Sequence, residues 1–472
     1  MKTRITLLAL LFFLLSQATF ATHLMGGQIT AKQISGLKYE VKLVVYRDVL
    51  GIAISPDAEF YYFDLNSSWI SVSTVLANNG INFLNGVEEY EYIDTIILPN
   101  TGSYNIGWGF CCRNNAILNM TNPGGESLYL NTILDADTTL GNSTPIFLNP
   151  PISLAQQNNL FTYNPLPFDS DGDSLTWSLV TPLGSNPQVS TANIPVLGYT
   201  LPHADTTQPF TLNLSTGQIS WIPDLMGNFV ASFLVEEFRG GIKIGEIRRD
   251  MQIIVINDPS NGSRAAINTI GWPASAAGNF VFNLPVDSIF NLTAVATDSD
   301  NDSLSLTAAG TPFMLSSNRA YYSSISNKGT STCMMSWIPT AAEVRNSDYI
   351  AAFRLHEYHG ATAFITDKTV QFHIASTVGI KEISTVLSGS NVYPNPSDGD
   401  CYIQFYLANR AKVKVQLTSI VGKIVNTIVD KEMPAGQNVI LNSNSKLSKG
   451  IYFIDIWVDG KKTSSKKLII TE

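Results

Sequence analysis

The stretch YEVKLVVY, residues 39–46, decides the fold class because its apolar and charged residues alternate. Val41 and Leu43 point to one side of an extended chain, whereas Lys42 points to the other. A period of two residues is typical of a β-strand with one buried face. The segment AKVKVQL, residues 411–417, alternates in the same way. We therefore predict an all-β chain.

Turn residues separate these runs, for example Asn85-Gly86 and the Pro-Gly-Gly sequence at residues 123–125. Short strands with turn signals at this spacing are typical of β-sandwiches. The chain has 472 residues, which is too many for a single hydrophobic core. The predicted fold is therefore a multidomain string of antiparallel β-sandwiches.

Composition and charge argue against one class of partner. Only 14% of the residues are charged, and the formal net charge is -9. Binding to nucleic-acid phosphates needs clustered Lys and Arg, and the only local basic run lies at residues 461–467. We therefore expect no nucleic acid among the partners.

The first 21 residues have the pattern of a secretory signal peptide. Lys2 and Arg4 precede an apolar run at residues 5–15, and small residues precede a cleavage point at Thr22. This run is too short to span a bilayer, and no later stretch reaches 18 uncharged apolar residues. We expect an exported protein whose mature chain has no transmembrane segment.

The four cysteines, Cys111, Cys112, Cys333 and Cys401, are few for an exported chain of this length. Disulfide bonds therefore do not frame the fold, and the CxxC spacing of many metal sites is missing from the sequence. We expect buried or unpaired thiols with at most one local bridge.

One segment of the sequence occurs twice. DSDGDSLTWSLVTP, GQISWIP and ASFLVEEFRGG have counterparts in DSDNDSLSLTAAGTP, CMMSWIP and AAFRLHEYHGA. Trp221 and Trp337 are 116 residues apart, and Glu237 and Glu357 are 120 residues apart, which indicates a duplicated domain. We interpret each Trp as a core residue, because an indole offers a small sandwich the largest apolar area to bury.

The repeats and the turn-rich stretches between them predict the domain boundaries. The predicted segments are a signal peptide at 1–21, an N-terminal β domain at 22–151, repeats at 152–258 and 259–377, a linker at 378–390 and a C-terminal domain at 391–472.

Each repeat carries three aspartates at alternate positions. The two sets are Asp169, Asp171 and Asp173, and Asp298, Asp300 and Asp302. Alternate side chains of an extended segment share a face, where their carboxylates can bind one Ca²⁺. An EF-hand is excluded, because Ser174 and Val180 stand where its loop requires Gly and Glu. Two interpretations remain open for each set, a calcium site or a solvated turn that uses Asp and Gly for their backbone conformations.

Other chemical patterns are weaker. Glu236, Glu237 and Glu357 have the type of a glycosidase carboxylate, but their recurrence suits repeat architecture better. HEYH, residues 356–359, spaces its two imidazoles by three on a predicted strand, which directs them to opposite faces. His23 is interpreted as an ordinary residue of the first strand. The sequence lacks a GxSxG elbow, so we expect no catalytic site and no enzymatic activity.

The last 80 or so residues resemble the sorting domain of the type IX secretion system of Bacteroidota, through YPNPSDG, VGKIV, KGIYFI and KKLII. The resemblance implies a small β-sandwich that the type IX secretion machinery recognises. It also implies export through the periplasm, followed by release or by attachment at the outer membrane. By this resemblance, the residues expected to carry the sorting signal are Tyr393, Pro394, Asn395, Pro396, Gly450, Tyr452 and Lys467.

Residues 22–258 resemble a family of Bacteroidota surface proteins, through HLMGGQIT, YRDV, YEYIDTIILP and CCRNNAI. Relatives are richer in cysteine, for example after YRD, where this chain has Val49. The repeats also resemble cadherin-like or immunoglobulin-like modules through their DxDxDxL and WIP motifs. These resemblances imply an extracellular protein and establish no enzymatic activity.

These features predict a non-enzymatic protein, secreted or attached to the cell surface, that serves in adhesion or in a surface layer. Its further partners would be a cell-surface polysaccharide or another protein. One alternative is a carbohydrate-binding accessory of a polysaccharide-processing system, in which Trp69, Trp108, Tyr61 or Tyr62 would stack on sugar rings. The other alternative is a secreted hydrolase of unrecognised type in residues 22–151.

Overall fold

The computed structural model describes residues 24–51, 53–66, 70–76, 80–82, 85–186, 189–205, 207–375, 387–420, 422–443 and 447–471. The predicted signal peptide, His23, Trp69 and most of the predicted linker lie outside the described residues. Almost all regular structure in the described residues is β-strand, which confirms the predicted all-β, multidomain class. The chain divides into two compact units between residues 376 and 377.

The first unit begins with strands that alternate as the sequence predicts. They are β1 Leu24–Ser35, β2 Lys38–Asp48, β3 Asp57–Asp64, β4 Ile70–Leu76, β5 Ile81–Asn82, β6 Val87–Ile97, β7 Gly102–Phe110 and β8 Leu128–Ala136. In β2, Tyr39, Val41 and Leu43 are fully buried, whereas Glu40 and Lys42 are partly exposed. The buried face of this sheet forms a hydrophobic core with Trp108.

The first repeat follows directly. Its strands are β9 Ile146–Phe147, β10 Ile152–Gln156, β11 Phe161–Tyr163, β12 Pro167–Phe168, β13 Ser174–Val180, β14 Leu183–Asn186, β15 Val189–Pro195, β16 Thr211–Leu212, β17 Ile219–Trp221, β18 Gly227–Arg239 and β19 Ile242–Ile256. Gly240 and Gly241 join β18 to β19 with φ angles of 59° and 83°. Two residues with positive φ are typical of a tight type I′ hairpin.

The second repeat has the same plan. Its elements are β20 Ala266–Asn268, β21 Phe280–Pro285, β22 Phe290–Thr297, β23 Ser303–Gly310, the one-turn helix α1 Thr311–Met314, β24 Tyr321–Ser326, β25 Thr330–Trp337, β26 Tyr349–His359 and β27 Thr362–Ala375. One sheet runs β10-β19-β18-β13 in the first repeat and β21-β27-β26-β23 in the second. The first strand of each series is parallel to its neighbour. Trp221 and Trp337 are at most 1% exposed, so both lie in the core as predicted.

The first sheet crosses the predicted boundary at residue 151. Strand β19 of the first repeat pairs with β8 and with β1, so one twelve-stranded sheet contains residues from both sides. The two glycines of the HLMGG motif, Gly26 and Gly27, permit the backbone of β1 to lie close to the backbones of β19 and β2. A Cβ atom at Gly26 would lie 2.3 Å from the carbonyl oxygen of Asp250, and one at Gly27 would lie 2.2 Å from that of Val44. The proline-bounded stretch at residues 144–151 therefore lies within the sheet-forming unit.

The two repeats contact each other directly within the first unit, through hydrogen bonds to Asp367 of the second repeat. The hydroxyl of Thr162 donates to the carbonyl of Asp367 at 2.7 Å, and the backbone N–H of Asn164 donates to its carboxylate at 2.7 Å. Arg354 pairs with the same carboxylate, with N–O distances of 2.6 and 2.8 Å. Because Asp367 is fully buried, this contact gives the pair of repeats one defined orientation.

The second unit is a small β-sandwich. Its strands are β28 Leu387–Tyr393, β29 Cys401–Leu407, β30 Ala411–Ser419, β31 Ile424–Met433, β32 Gly436–Asn442, β33 Gly450–Val458 and β34 Lys461–Ile470. They form the sheets β28-β29-β32 and β31-β30-β33-β34. Val413, Val415 and Leu417 are fully buried, as the alternation of AKVKVQL predicts.

Candidate functional sites

The first acidic motif forms a loop between β12 and β13. One carboxylate oxygen of Asp169 accepts hydrogen bonds from the backbone N–H groups of Asp171 and Asp173, both at 2.9 Å. Gly172 has a φ of 86°, so the segment turns instead of continuing as the extended strand that the alternation predicts. The three carboxylates nevertheless come together, because the turn folds around Asp169.

Glu237 joins this group from the neighbouring strand β18. Asp169, Asp171, Asp173 and Glu237 each offer one oxygen, and these oxygens lie within 4.8 Å of one another. Glu237 is fully buried and Asp169 is 8% exposed. Burial, together with the charges of Asp169 and Asp173, raises the pKa of Glu237 to about 9. Burial also raises the pKa of Asp169 to about 6. We call these four residues the first acidic cluster.

Sequence reasoning did not assign Glu237 to this site. The signal was present in its recurrence as Glu357, which we interpreted as a repeat feature or a glycosidase carboxylate. Its neighbour Glu236 does not share the site, since it pairs with Lys243 at 2.6 Å. Adjacent residues of a strand point to opposite faces, so the two glutamates cannot act together as a catalytic pair.

The second acidic motif gathers Asp298, Asp302 and Glu357, which we call the second acidic cluster; it too has oxygens within 4.8 Å of one another. Asp300 is outside that group, and its carboxylate accepts from the backbone N–H of Ser263 at 2.8 Å. The corresponding Asp171 accepts from the N–H of Ser143 at 2.7 Å. The two loops are therefore built alike, but only the first brings all three of its aspartates into the cluster.

The two clusters have different basic neighbours. Arg239 contacts both carboxylate oxygens of Asp173, and His359, at the same position of its repeat, contacts both oxygens of Asp302 at 2.9 and 3.0 Å. The hydrogen bond to Asp302 raises the pKa of His359. The second cluster also has Arg264, whose Nε donates to Glu357 at 2.8 Å.

The two histidines of HEYH have separate surroundings. The His356 ring stacks on Tyr358, with ring centroids 6.1 Å apart, whereas His359 contacts Asp302 and Ser260. Neither histidine belongs to a group of metal-ligand residues within the part of the chain that the structure describes.

His356 predicts an acid-dependent loss of stability. Burial, assisted by the charge of Arg354, lowers its pKa to about 4. Between pH 6.5 and pH 4 the unfolded chain binds a proton that the folded chain does not, so the free energy of unfolding falls as the pH falls. We expect a loss of about 2–3 kcal/mol over this window, and we expect His356→Gln to remove it. Urea unfolding at pH 8, 6 and 4.5 tests this, because wild type and variant should diverge only below pH 6.5. Parallel curves would show that His356 does not carry the effect.

Two of the four aromatic residues proposed to stack on sugars are buried in the core. Trp108 and Tyr62 are each only 2% exposed, so core packing and not ligand binding explains them. Tyr61 is partly buried, and its hydroxyl donates to Glu59. Trp69 lies outside the described residues.

Two of the four cysteines are bonded to each other and two are free. Cys111 and Cys112 form a disulfide bond with each other, and Cys333 and Cys401 are free and buried. This arrangement agrees with the expectation of buried or unpaired thiols and at most one local disulfide bond.

The predicted sorting-signal residues converge on the last strand of the second unit. The side-chain amide of Asn395 donates to the carbonyl of Lys467 at 2.6 Å, and its oxygen accepts from the N–H of Ile469 at 2.9 Å. Tyr393 stacks on Tyr402 with ring centroids 5.7 Å apart. The Pro-Asn-Pro segment is thus fixed to β34 by backbone contacts. Tyr452 lies on β33, and its hydroxyl donates to Ser448 at 2.8 Å.

A search of the described residues for membrane spans gave no helix with the length and hydropathy to cross a bilayer. The comparison with curated proteins returned no match.

Some solved structures have a weak similarity to the chain. A four-domain ectodomain fragment of ICAM-5 shares 11% identity and covers 93% of this chain and 96% of its own, with a TM-score of 0.16. Dpr2 Ig1–Ig2 in complex with DIP-Theta Ig1–Ig3 shares 9%, covering 72% and 95%, also at 0.16. The CupB2 chaperone of Pseudomonas aeruginosa shares 8%, covering 40% and 96%, at 0.16. At these TM-scores we draw no conclusion from them.

A family comparison identifies the second unit. Residues 391–471 match the family described as the secretion system C-terminal sorting domain. This confirms the resemblance drawn from YPNPSDG, KGIYFI and KKLII, and it implies an interaction with the type IX secretion machinery. The chain is therefore an exported protein with a secreted or cell-surface location, and its C-terminal unit is similar to the domains that direct that export.

Proposed function

We propose that this chain is a non-enzymatic protein that the type IX system exports and that serves outside the cell in adhesion or in a surface layer. The observation that carries the proposal is the match of residues 391–471 to the sorting-domain family. The second unit, which we call the sorting unit, directs the export. The first unit is the part that acts after export.

The construction of the first unit supports a mechanical role. One twelve-stranded sheet connects the N-terminal strands to the first repeat, and the buried Arg354–Asp367 pair lies at the contact between the repeats. Separating the repeats would break the hydrogen bonds that Thr162 and the backbone N–H of Asn164 donate to Asp367 and would leave its buried carboxylate with fewer donors. Hydrogen bonds of this kind contribute about 0.5–3 kcal/mol each, so the repeats should resist separation. A module of this kind suits a structural or adhesive protein, whose domains must keep their relative positions under load.

The glutamates of the first repeat offer little support for glycosidase chemistry, an interpretation separate from the hydrolase alternative in residues 22–151. Glu236 is neutralised by Lys243, and the buried Glu237 lies among aspartates instead of facing a second carboxylate across a gap. Glycoside hydrolysis requires two carboxyl groups about 5–9.5 Å apart on either side of the bond to be cleaved. We therefore keep the non-enzymatic proposal.

The proposal is tested in a type IX-competent bacterium from which the gene has been deleted. The strain is complemented with the full chain, or with a chain that keeps its N-terminus and sorting unit but lacks residues 24–375. We expect only the full chain to restore attachment to a surface or integrity of the surface layer, while both chains reach the cell exterior. Equal behaviour of the two strains, or hydrolysis of polysaccharide by the purified chain, would contradict the proposed role.

A further inference from the structure

The first acidic cluster combines burial with a shortage of positive charge. Arg239 contacts Asp173, but Asp169, Asp171 and Glu237 form no ion pair with any basic residue that the structure describes. Carboxylates this close repel one another by about 1 kcal/mol per pair in water, and more where water is excluded. This repulsion is relieved either by protonation of the buried carboxyl groups, whose pKa values are raised, or by a further positive species at the site.

Two buried oxygens of this cluster have no hydrogen-bond donor. They are Oδ2 of Asp169 and Oε1 of Glu237, on side chains that are 8% and 0% exposed. The other oxygen of Glu237 has only a long contact, 3.4 Å, with the amide of Asn142. A buried polar atom without a partner costs about 1–3 kcal/mol, and more for a charged group. Asp169 and Glu237 each contribute one oxygen to the set that converges within 4.8 Å, so the two carboxylates are placed to share one ligand.

In the second acidic cluster, at the equivalent place, the chain itself supplies donors to both oxygens of the glutamate, although Oδ1 of Asp298 has no donor. One oxygen of Glu357 accepts from Asn261 at 2.5 Å, and the other accepts from Arg264 at 2.8 Å and from the N–H of Ala265 at 2.9 Å. The guanidinium of Arg264 is held over the ring of Phe364, 4.3 Å from its centroid. The corresponding segment of the first repeat, residues 142–145, reads NSTP and contains no basic residue.

We propose that Asp169, Asp171, Asp173 and Glu237 bind one calcium ion, and that the second repeat binds none because Arg264 supplies its positive charge. The donors of the first cluster are all carboxylate oxygens, which suits a hard cation and not zinc, for which nitrogen and sulfur ligands are usual. Calcium accepts irregular oxygen geometry, whereas Mg²⁺ demands a near-ideal octahedron and keeps several waters. The ion would join the loop at residues 169–173 to strand β18.

The sequence left a calcium site open for both triplets of aspartates, because the two have the same pattern. The proposal restricts calcium binding to the first triplet. It is independent of the proposed function, since a surface protein can act with or without a bound cation.

Asp171 and Asp300 provide a matched pair for the test. Each accepts one backbone N–H, from Ser143 and Ser263 respectively, and an asparagine at either position keeps an oxygen that can accept it. The purified full chain is stripped with chelator and titrated with CaCl₂ by isothermal calorimetry. We expect one ion per wild-type chain, at least a tenfold weaker affinity in Asp171→Asn, and unchanged binding in Asp300→Asn.

Two further variants extend the comparison to the buried glutamates. Glu237→Gln should lose calcium binding, whereas Glu357→Gln should keep it, with circular dichroism confirming that each variant is folded. If Glu237→Gln fails to fold, the pair Asp171→Asn and Asp300→Asn still decides the question. Absence of calcium binding to wild type, a stoichiometry of two, equal loss in Asp171→Asn and Asp300→Asn, or tighter binding of Mg²⁺ than of Ca²⁺ would each overturn the proposal.

Discussion

Removal of residues 387–472 should retain the chain inside the cell envelope and should leave the first unit folded. The two units are separately compact, so the first unit does not need the sorting unit for its core. The matched family lies wholly in the removed part, and without it the secretion machinery has nothing to recognise. Immunoblots of periplasm, cell surface and medium measure the effect. Release of the truncated chain at the level of the full chain would contradict the assigned export route.

A single substitution sharpens this experiment. Asn395→Ala removes both hydrogen bonds that join the Pro-Asn-Pro segment to β34, while the hydrophobic core of the unit is untouched. We expect the exported fraction to fall if this segment must be held in place for recognition. Asn391→Ala, at an exposed position of β28, is the matched control and should be exported normally.

Arg113→Ala should lower the free energy of unfolding of the first unit by about 3–5 kcal/mol, because it leaves the buried Asp250 carboxylate without its partner. The two guanidinium nitrogens of Arg113 lie 2.9 and 2.7 Å from the two oxygens of Asp250. Both side chains are 1% exposed. Urea unfolding of the full chain, followed by tryptophan fluorescence, measures the loss.

The same pair tests whether the predicted boundary at residue 151 separates independent domains. Arg113 precedes the boundary, whereas Asp250 lies on β19, and Trp108 and Trp221 report on the two sides. In a continuous sheet, Arg113→Ala shifts one common transition. Two transitions, only one of which moves, would show that the sides unfold separately.

Two controls accompany this experiment. The double variant Arg113→Met/Asp250→Leu should recover much of the loss, since replacing a whole buried pair by apolar residues is often neutral. Lys243→Ala removes an exposed lysine near the start of the same strand, together with its ion pairs to Glu236 and Glu246, and should change stability by about 0–1 kcal/mol per pair. A loss in Lys243→Ala as large as that in Arg113→Ala would show that burial of the pair is not the cause.

Local patterns in the sequence were sufficient for much of the fold. Alternation in YEVKLVVY and AKVKVQL predicted strands whose apolar residues are in fact buried. The SWIP motifs predicted two core tryptophans, and the repeated order of motifs predicted two domains with the same strand plan. These inferences succeed because period, turn chemistry and self-similarity are expressed within a few residues or by direct comparison of two segments.

Long-range pairing was not predictable in the same way. Gly26 and Gly27 gave no indication that β19 would pass beside them, because strand partners distant in the chain leave no periodic signal in a single sequence. The boundary at residue 151 rested on prolines that mark a turn, and a turn ends a strand without ending a sheet. The contact of Asp367 with Thr162 and Asn164 was invisible for the same reason.

By itself, the sequence determined the strand content, the duplication, the C-terminal sorting domain and the presence of two aspartate triplets. Only the tertiary structure decided how those triplets differ. It buries Glu237 beside Asp169 and leaves oxygens of both without a donor, and it places the Arg264 guanidinium on Glu357 in the second repeat. The physical reason is that charge balance and desolvation are properties of groups that meet in space. The residues that meet at each cluster come from segments more than 50 positions apart in the chain.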